Sequence, residues 1–177
     1  YNIKNKVGLF LGTFGPFHNG HYFAALKSLN FIRKLIIQPH NDNPDYEGKH
    51  TSLEHRIKMV ELATEEIQHI KVRREKRNVY KLRKDGKFRY QLIKWVEEET
   101  NSKIWVVMGA DKLSNIMYKG SSELLKIPHI IFLRKDIEYK IRSFPNFKEV
   151  IYTESEKEIS SSEMRENLIQ RKDALLI

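Results

Sequence analysis

Residues 6–39 constrain the fold most. An apolar run, Val7 to Leu11, ends on a glycine turn, Gly12 to Gly15. A helix-like run follows, Tyr22 to Arg33, and a second apolar run, Lys34 to Pro39, comes directly after it. Short apolar runs bounded by turn residues read as buried strands, and the amphipathic run between them reads as a helix. Strand, helix and strand in that succession form a βαβ unit, which commits the chain to a parallel sheet with right-handed crossovers.

The alternation continues down the chain. Residues 40–51 are polar, with Pro44 and Gly48, and read as a loop. Thr51 or Ser52 then caps a helix whose apolar stripe is Leu53, Ile57, Val60, Leu62 and Ala63, ending near Gln68. Ile70 to Arg73 is a short strand, and a helix is expected around Tyr90, Ile93, Trp95 and Val96. Ile104 to Met108 is a buried strand closing on Gly109-Ala110-Asp111, again with a helix after it. A short helix over Ser121–Leu125, strands at His129–Arg134 and Glu149–Tyr152, and a final helix from Ser161 or Ser162 to about Arg171 complete the pattern. The expected class is α/β, a doubly wound parallel sheet in one domain, 1–177. In such sheets ligands sit beyond the C-terminal strand ends, where the strand order reverses.

The turn itself carries chemistry. Gly12-Thr13-Phe14-Gly15-Pro16-Phe17-His18-Asn19-Gly20-His21 joins a strand end to a helix N-terminus. Free N–H groups and the helix dipole there suit phosphate, and glycines let the backbone approach a ligand. His18 and His21, three apart, fall close to one face of the first turn and reach one phosphate chain together. Taken singly, the glycines read as a tight turn and each histidine as a cap or surface residue. Zinc is disfavoured: the chain has no Cys and no third ligand at metal spacing. A second candidate lies near the other end, Ile159-Ser160-Ser161-Ser162-Glu163-Met164-Arg165. Three serines opening a helix supply hydroxyls and N–H groups, and Arg165, one turn in, places a guanidinium fork beside them. An ordinary N-cap is the competing reading.

Charge bears on partners. The formal net charge is +9 over 177 residues, and Lys71 to Arg89 holds ten basic residues against Glu75 and Asp85. That run, interleaved with Tyr80, Phe88 and Tyr90, allows a nucleic-acid-binding protein, a lid over an anionic substrate, or a solvated loop, which is the favoured reading. No apolar stretch approaches the length of a membrane span, so no membrane partner is expected. Absent cysteines and any signal peptide make the cytoplasm the default compartment. Self-association is left open.

The two end motifs in this order resemble the HxGH nucleotidylyltransferase superfamily, and within it the nicotinate or nicotinamide mononucleotide adenylyltransferases. Gly12, Thr13, Phe14, Pro16, His18, Gly20 and His21 match the first motif. Thr51, His55 and Arg56 resemble the family's Thr…His-Arg helix, Gly109-Ala110-Asp111 its Gly-x-Asp turn, and Ile159 to Arg165 its Ile-Ser-Ser-Thr-x-x-Arg, with Ser162 for Thr. Leu11 and Gly15 depart from the motif's usual Gly and Asp. The family's mid-chain Ser-Tyr-Thr has no match beyond Phe88-Arg89-Tyr90, and its Trp after the Gly-x-Asp is replaced by Tyr118 as the nearest aromatic.

The resemblance implies a Rossmann-like nucleotidylyltransferase fold and adenylyl transfer from ATP to a pyridine mononucleotide, releasing pyrophosphate. It implies ATP phosphates on His18 and His21, on Gly12, Thr13, Phe14 and Gly20, and on Ile159 and Ser160 to Ser162. Arg165 holds the departing phosphates and Asp111 a ribose hydroxyl. Mg²⁺ rides mainly on the phosphates. For the acceptor, Lys49, His55 and Arg56 are candidate anion contacts, with a surface or packing role the competing reading for His55; Thr51 is a further substrate-binding residue, and Tyr90 and Tyr118 are the preferred base walls. Trp105, inside a strand, is expected to be core. The alternative within the superfamily is another adenylyl or cytidylyl transferase, such as one acting on pantetheine phosphate.

Overall fold

The computed structural model of the chain describes residues 5–42, 51–77, 79, 88–114 and 122–155. Six strands form one sheet: β1 (Lys6–Gly12), β2 (Lys34–Pro39), β3 (Ile70–Val72), β4 (Lys103–Gly109), β5 (His129–Arg134) and β6 (Val150–Ser155). Every pairing is parallel, and the order is β3-β2-β1-β4-β5-β6. The helices are α1 (Asn19–Ser28), α2 (Leu53–Thr64), α3 (Phe88–Thr100) and α4 (Ser122–Leu125), with 3₁₀ turns at Ala110–Ser114 and Ile141–Ser143. This is the doubly wound, Rossmann-like α/β architecture.

Period-2 alternation in the strands builds two cores. Val7, Leu9, Ile104, Val106 and Met108 face one layer with Ile93 and Val96 of α3 and Leu124 of α4. Their neighbours Phe10, Trp105 and Val107 face the other, with Ala24 and Ala25 of α1 and Val60 of α2. Each fully buried aliphatic or aromatic side chain contributes about 1.5–3 kcal/mol, so a sheet buried on both faces reads as continuous apolar runs. Trp105 is core, 4% exposed, with the Lys6 ammonium 4.6 Å from its ring centroid.

Helix ends differ from expectation for local reasons. α1 begins at Asn19, because His18 caps it, and gives way at Leu29, where N–H groups switch to i→i−3 bonding. Ser52 caps α2 through Oγ to the His55 N–H (3.4 Å). That helix stops at Thr64, short of Gln68; the Ile67 N–H bonds back to the Thr64 carbonyl, and His69 at φ 71° turns the chain into β3. After β4 the chain makes a 3₁₀ turn. The final helix expected from Ser161 or Ser162, and the middle of the basic run, lie outside the described residues.

The described head of the basic run is an ordered ion network. Arg73 bonds Gln38 (2.6 Å), Glu75 (2.9 Å) and Glu99 (2.7 and 2.8 Å). Arg77 pairs with Glu75 (3.2 Å) and Glu99 (3.4 Å) and lies over the Trp95 ring at 4.4 Å; Arg74 pairs with Glu54. Among the described residues Arg73, Arg74 and Arg77 thus have carboxylate partners, which lowers the free positive charge this stretch offers a polyanion.

Candidate active site

β1 and β4 are neighbours, and the chain leaves them in opposite directions across the sheet, so their C-terminal ends, Gly12 and Gly109, flank the switch-point crevice. A Cβ on Gly109 would meet nothing within 4 Å, whereas one on Gly12 would lie 2.8 Å from the Phe14 ring. Glycine at 12 is therefore what lets Phe14 fold back. Phe14 takes φ 51°, a left-handed backbone costing a non-glycine residue about 1–2 kcal/mol. Its ring, 2% exposed, offsets that by packing edge-on to Phe10 (5.2 Å), Phe17 (5.4 Å) and His21 (5.0 Å). The Gly15–Pro16 peptide is cis.

The two histidines form a reciprocal cap. The Gly20 N–H donates to His18 Nδ1 (3.1 Å), and the His18 N–H donates to His21 Nδ1 (3.3 Å). A nitrogen that accepts from a backbone N–H carries no proton, so in each neutral ring the proton sits on Nε2. The rings stack at 3.8 Å, with Phe17 stacked on the far side of His21 at 5.5 Å. Burial, then the neighbouring His18 and the Lys112 ammonium, push His21 down to about pH 3; burial lowers His18 as well. At neutral pH the pair is therefore two uncharged Nε2–H donors, side by side at a helix N-terminus.

The linked stability effect has a definite sign. His129, fully buried against Phe147 at 4.2 Å, is likewise pushed down to about 4 by burial, although its Nδ1 contact with the Ile127 carbonyl (2.7 Å) raises it. Below about pH 6.5 the unfolded chain protonates these rings while the folded chain does not, so stability falls as pH falls from about 6.5 toward 4 and 3. Urea midpoints measured from pH 7.5 to 4.5 should begin to drop near 6.5, by at most about 1.4 kcal/mol per pH unit for each ring. A flat profile down to pH 5 would contradict the buried neutral assignment.

Asp111 stands exposed at the start of the 3₁₀ turn and accepts a hydrogen bond from Tyr139 Oη (2.8 Å). Burial, then Asp111, raises the Tyr139 hydroxyl to about 12, so it remains a donor. Lys112 and Tyr139 were not anticipated. Lys112 directly follows the Gly-Ala-Asp turn, which is a local signal; Tyr139 comes from the loop after β5, and nothing in the sequence ties it to Asp111.

Arg56 is corrected by the structure. It is not open to an acceptor anion: it is 2% exposed, with Nε on the Thr51 carbonyl (2.8 Å), Nη1 on the Thr13 (2.8 Å) and His40 (2.7 Å) carbonyls, and Nη2 on Asp42 (2.8 Å). Thr51 is exposed but its carbonyl is taken by that bond. Tyr90, in the first turn of α3, is half-buried against the core with the Lys94 ammonium 5.3 Å from its ring centroid. Lys49, Tyr118, Ile159, Ser160, Ser161, Ser162 and Arg165 lie outside the described residues. Among the described residues no cluster of His, Asp or Glu is arranged to hold a metal, and no helix is long and apolar enough to cross a membrane.

A parallel sheet whose first strand runs through a glycine turn into an imidazole-capped helix, at the switch point, defines a nucleotide-binding α/β protein. Residues 9–167 match the cytidylyltransferase-like family model. A probable nicotinate-nucleotide adenylyltransferase of Pelagibacter ubique is 30% identical over 92% of this chain and 93% of its own length. Another from Clostridium tetani is 29% identical over 95% of this chain and 89% of its own. A solved nicotinic acid mononucleotide adenylyltransferase of Plasmodium falciparum, complexed with NaAD, shares the fold at TM-score 0.68 and 18% identity, covering 93% of this chain and 84% of that one. The chain belongs to the cytidylyltransferase-like family, in its nicotinate-nucleotide adenylyltransferase branch.

Proposed function

We propose that the protein transfers the adenylyl group of ATP to nicotinate mononucleotide, or its nicotinamide counterpart, giving the dinucleotide and pyrophosphate in NAD biosynthesis. The observation that carries this reading is the pair of Nε2–H donors on His18 and His21 at the mouth of the switch-point crevice. The acceptor's 5′-phosphate oxygen attacks the α-phosphorus of ATP, a P–O bond forms, and the bond to the bridging oxygen of pyrophosphate breaks. The nucleophile is already an anion, so no general base is needed. Catalysis rests on alignment and on stabilising charge on the phosphate oxygens. Uncharged donors suit that chemistry, because the helix cap preorganises them and they give up no proton.

His21 sits nearest the α-phosphate in this reading, and the Thr13 and Phe14 N–H groups, the serines at 160–162 and Arg165 hold the remaining oxygens. Lys112 adds a cation on the same side. Asp111, oriented by Tyr139, accepts from a ribose hydroxyl. A cavity of about 450 Å³ between α1 and the ends of β5 and β6, lined by Gly20, Phe23, Ala24, Phe132 and Ser155, is assigned to the adenine. It starts at Gly20 in the first turn of α1 and sets Phe23 and Phe132 beside polar residues such as Asn30 and Ser155. Lys27 bridges it by donating to the Glu154 carbonyl. Mg²⁺ arrives with the triphosphate as part of the substrate.

The test is a panel of acceptors with ATP or CTP, read by pyrophosphate release. ATP with nicotinate or nicotinamide mononucleotide should be the productive pair. Faster release with pantetheine phosphate, or with CTP, would overturn the assignment and move the chain elsewhere in its family.

A further inference from the structure

We infer that Arg56 is a positioning residue that fixes the spacing between the two substrates' subsites, rather than a group that touches either substrate. The inference rests on the function proposed above for its kinetic part, and on geometry alone for its structural part.

Three chain segments converge at the C-terminal edge of β1 and β2: the turn after β1, the segment after β2, and the entry to α2. Arg56 bonds all three at once. Its Nη1 bridges the Thr13 and His40 carbonyls, so the phosphate turn and the first residue beyond β2 share one donor. Nε holds the Thr51 carbonyl and Nη2 the Asp42 carboxylate, which also accepts from the Leu53 N–H at 3.2 Å. The planar guanidinium sets these acceptors at fixed angles, which an ammonium on a flexible stem does not. The side chain is almost wholly buried while its carboxylate partner is 62% exposed, so the charge is held chiefly by backbone carbonyl dipoles. In a planar trans peptide the C=O and N–H point in opposite directions, so holding the Thr13 carbonyl also fixes the Phe14 N–H, aimed away from the guanidinium. Arg56 thereby couples the orientation of the phosphate turn to the position of residues 40–42 and 51, on the acceptor side.

In-line phosphoryl chemistry is sensitive to that spacing: a misplacement of about 1 Å costs on the order of 10²-fold in rate. Arg56→Ala should lower kcat about 10²-fold while KM for ATP and for the acceptor each move less than about 3-fold. Arg56→Lys keeps the charge and one carbonyl bridge, and should lose about 10-fold. Exogenous guanidinium at millimolar, non-denaturing concentration should restore at least part of kcat to Arg56→Ala and leave the parent protein unchanged. Amide hydrogen exchange in the ligand-free protein reads the same brace without any reaction. The Phe14, Asn41, Asp42 and Ser52 amides should exchange at least 10-fold faster in Arg56→Ala, with β4 and β5 unaffected, and guanidinium should slow them again. Asp42→Ala, which removes only the Nη2 partner and the Leu53 N–H acceptor, gives a milder version if Arg56→Ala does not fold: a kcat loss and faster exchange confined to residues 41–42 and 51–53. A rise in one substrate's KM with kcat unchanged would overturn the inference in favour of direct contact. Uniform acceleration of exchange across the sheet, with no rescue, would overturn it in favour of general stability. If the parent protein transfers nothing to a pyridine mononucleotide, the proposed function fails, while exchange and rescue of exchange still decide the role of Arg56.

Discussion

Replacing His21 by alanine is expected to reduce kcat by about 10²–10³-fold, the loss typical of removing one preorganised donor to developing negative charge. His21 presents a neutral Nε2–H because its Nδ1 is occupied by the His18 N–H and its environment disfavours the imidazolium. Alanine removes that donor, the second half of the helix cap, and the ring stacked between His18 and Phe17. The cap and packing losses fall on stability, typically about 1 kcal/mol for a cap, and the donor loss falls on turnover. His21→Asn separates them: its amide oxygen can still accept from the His18 N–H, but it places no donor where Nε2–H stood. Both variants should lose turnover, and the asparagine variant should melt closer to the parent. Pyrophosphate release alongside a thermal melt reads both quantities. Near-normal turnover in either variant would remove His21 from the chemistry.

Glu75→Ala is expected to destabilise the protein by about 3–5 kcal/mol although it lies away from the site. The Glu75 side chain is 1% exposed and lies between Arg73 (2.9 Å) and Arg77 (3.2 Å), while its carboxylate also accepts from the Arg77 N–H at 3.0 Å. Its backbone carbonyl takes the Asn41 amide at 3.0 Å. Removing the carboxylate leaves the Arg73 guanidinium, only 13% exposed, leaning on Glu99 and Gln38 alone. At about 2–4 °C per kcal/mol for a chain of this size, the melting temperature should fall on the order of 10 °C. Glu75→Gln, which keeps an acceptor without the charge, should fall between alanine and the parent. A shift below about 1 °C for alanine, against the several degrees per cavity or charge lost that such burial implies, would mean that Glu99 holds both arginines without help.

Strands were the most legible part of the sequence. Val7–Leu11, Ile104–Met108 and His129–Arg134 are apolar because both sheet faces are covered, and a run buried on both sides leaves little ambiguity. The Gly12–His21 stretch was legible as a phosphate turn, since a strand end, glycines and two histidines at helical spacing all point the same way. What escaped reading is what depends on long-range side-chain placement. Arg56 looks like an anion ligand when only its neighbours His55 and Thr51 are in view. Its inward turn is decided by the Thr13 and His40 carbonyls, which only the fold brings to it. Glu75 sits in a run of basic residues and reads as one acid in a basic loop; its placement between Arg73 and Arg77, which also reach Glu99 on α3, is set by the fold. Tyr139 acquires its role from Asp111, on a different strand end.

The placement of β1 beside β4 has a consequence for how the molecule comes to be active. β1, β2 and β3 are linked by successive crossovers, as are β4, β5 and β6, so each half of the sheet is made of comparatively local pairings. The β1–β4 ladder, with Lys6 opposite Lys103, is the seam that joins the halves across the whole intervening chain. Closing it carries the largest loop entropy of any strand pairing in the sheet, which makes it a slow step of assembly. The crevice between Gly12 and Gly109 does not exist until that seam is closed. Recovery of enzymatic turnover after dilution from urea is therefore a clock for the last long-range pairing, and it should lag behind the return of helical signal from α1, α2 and α3.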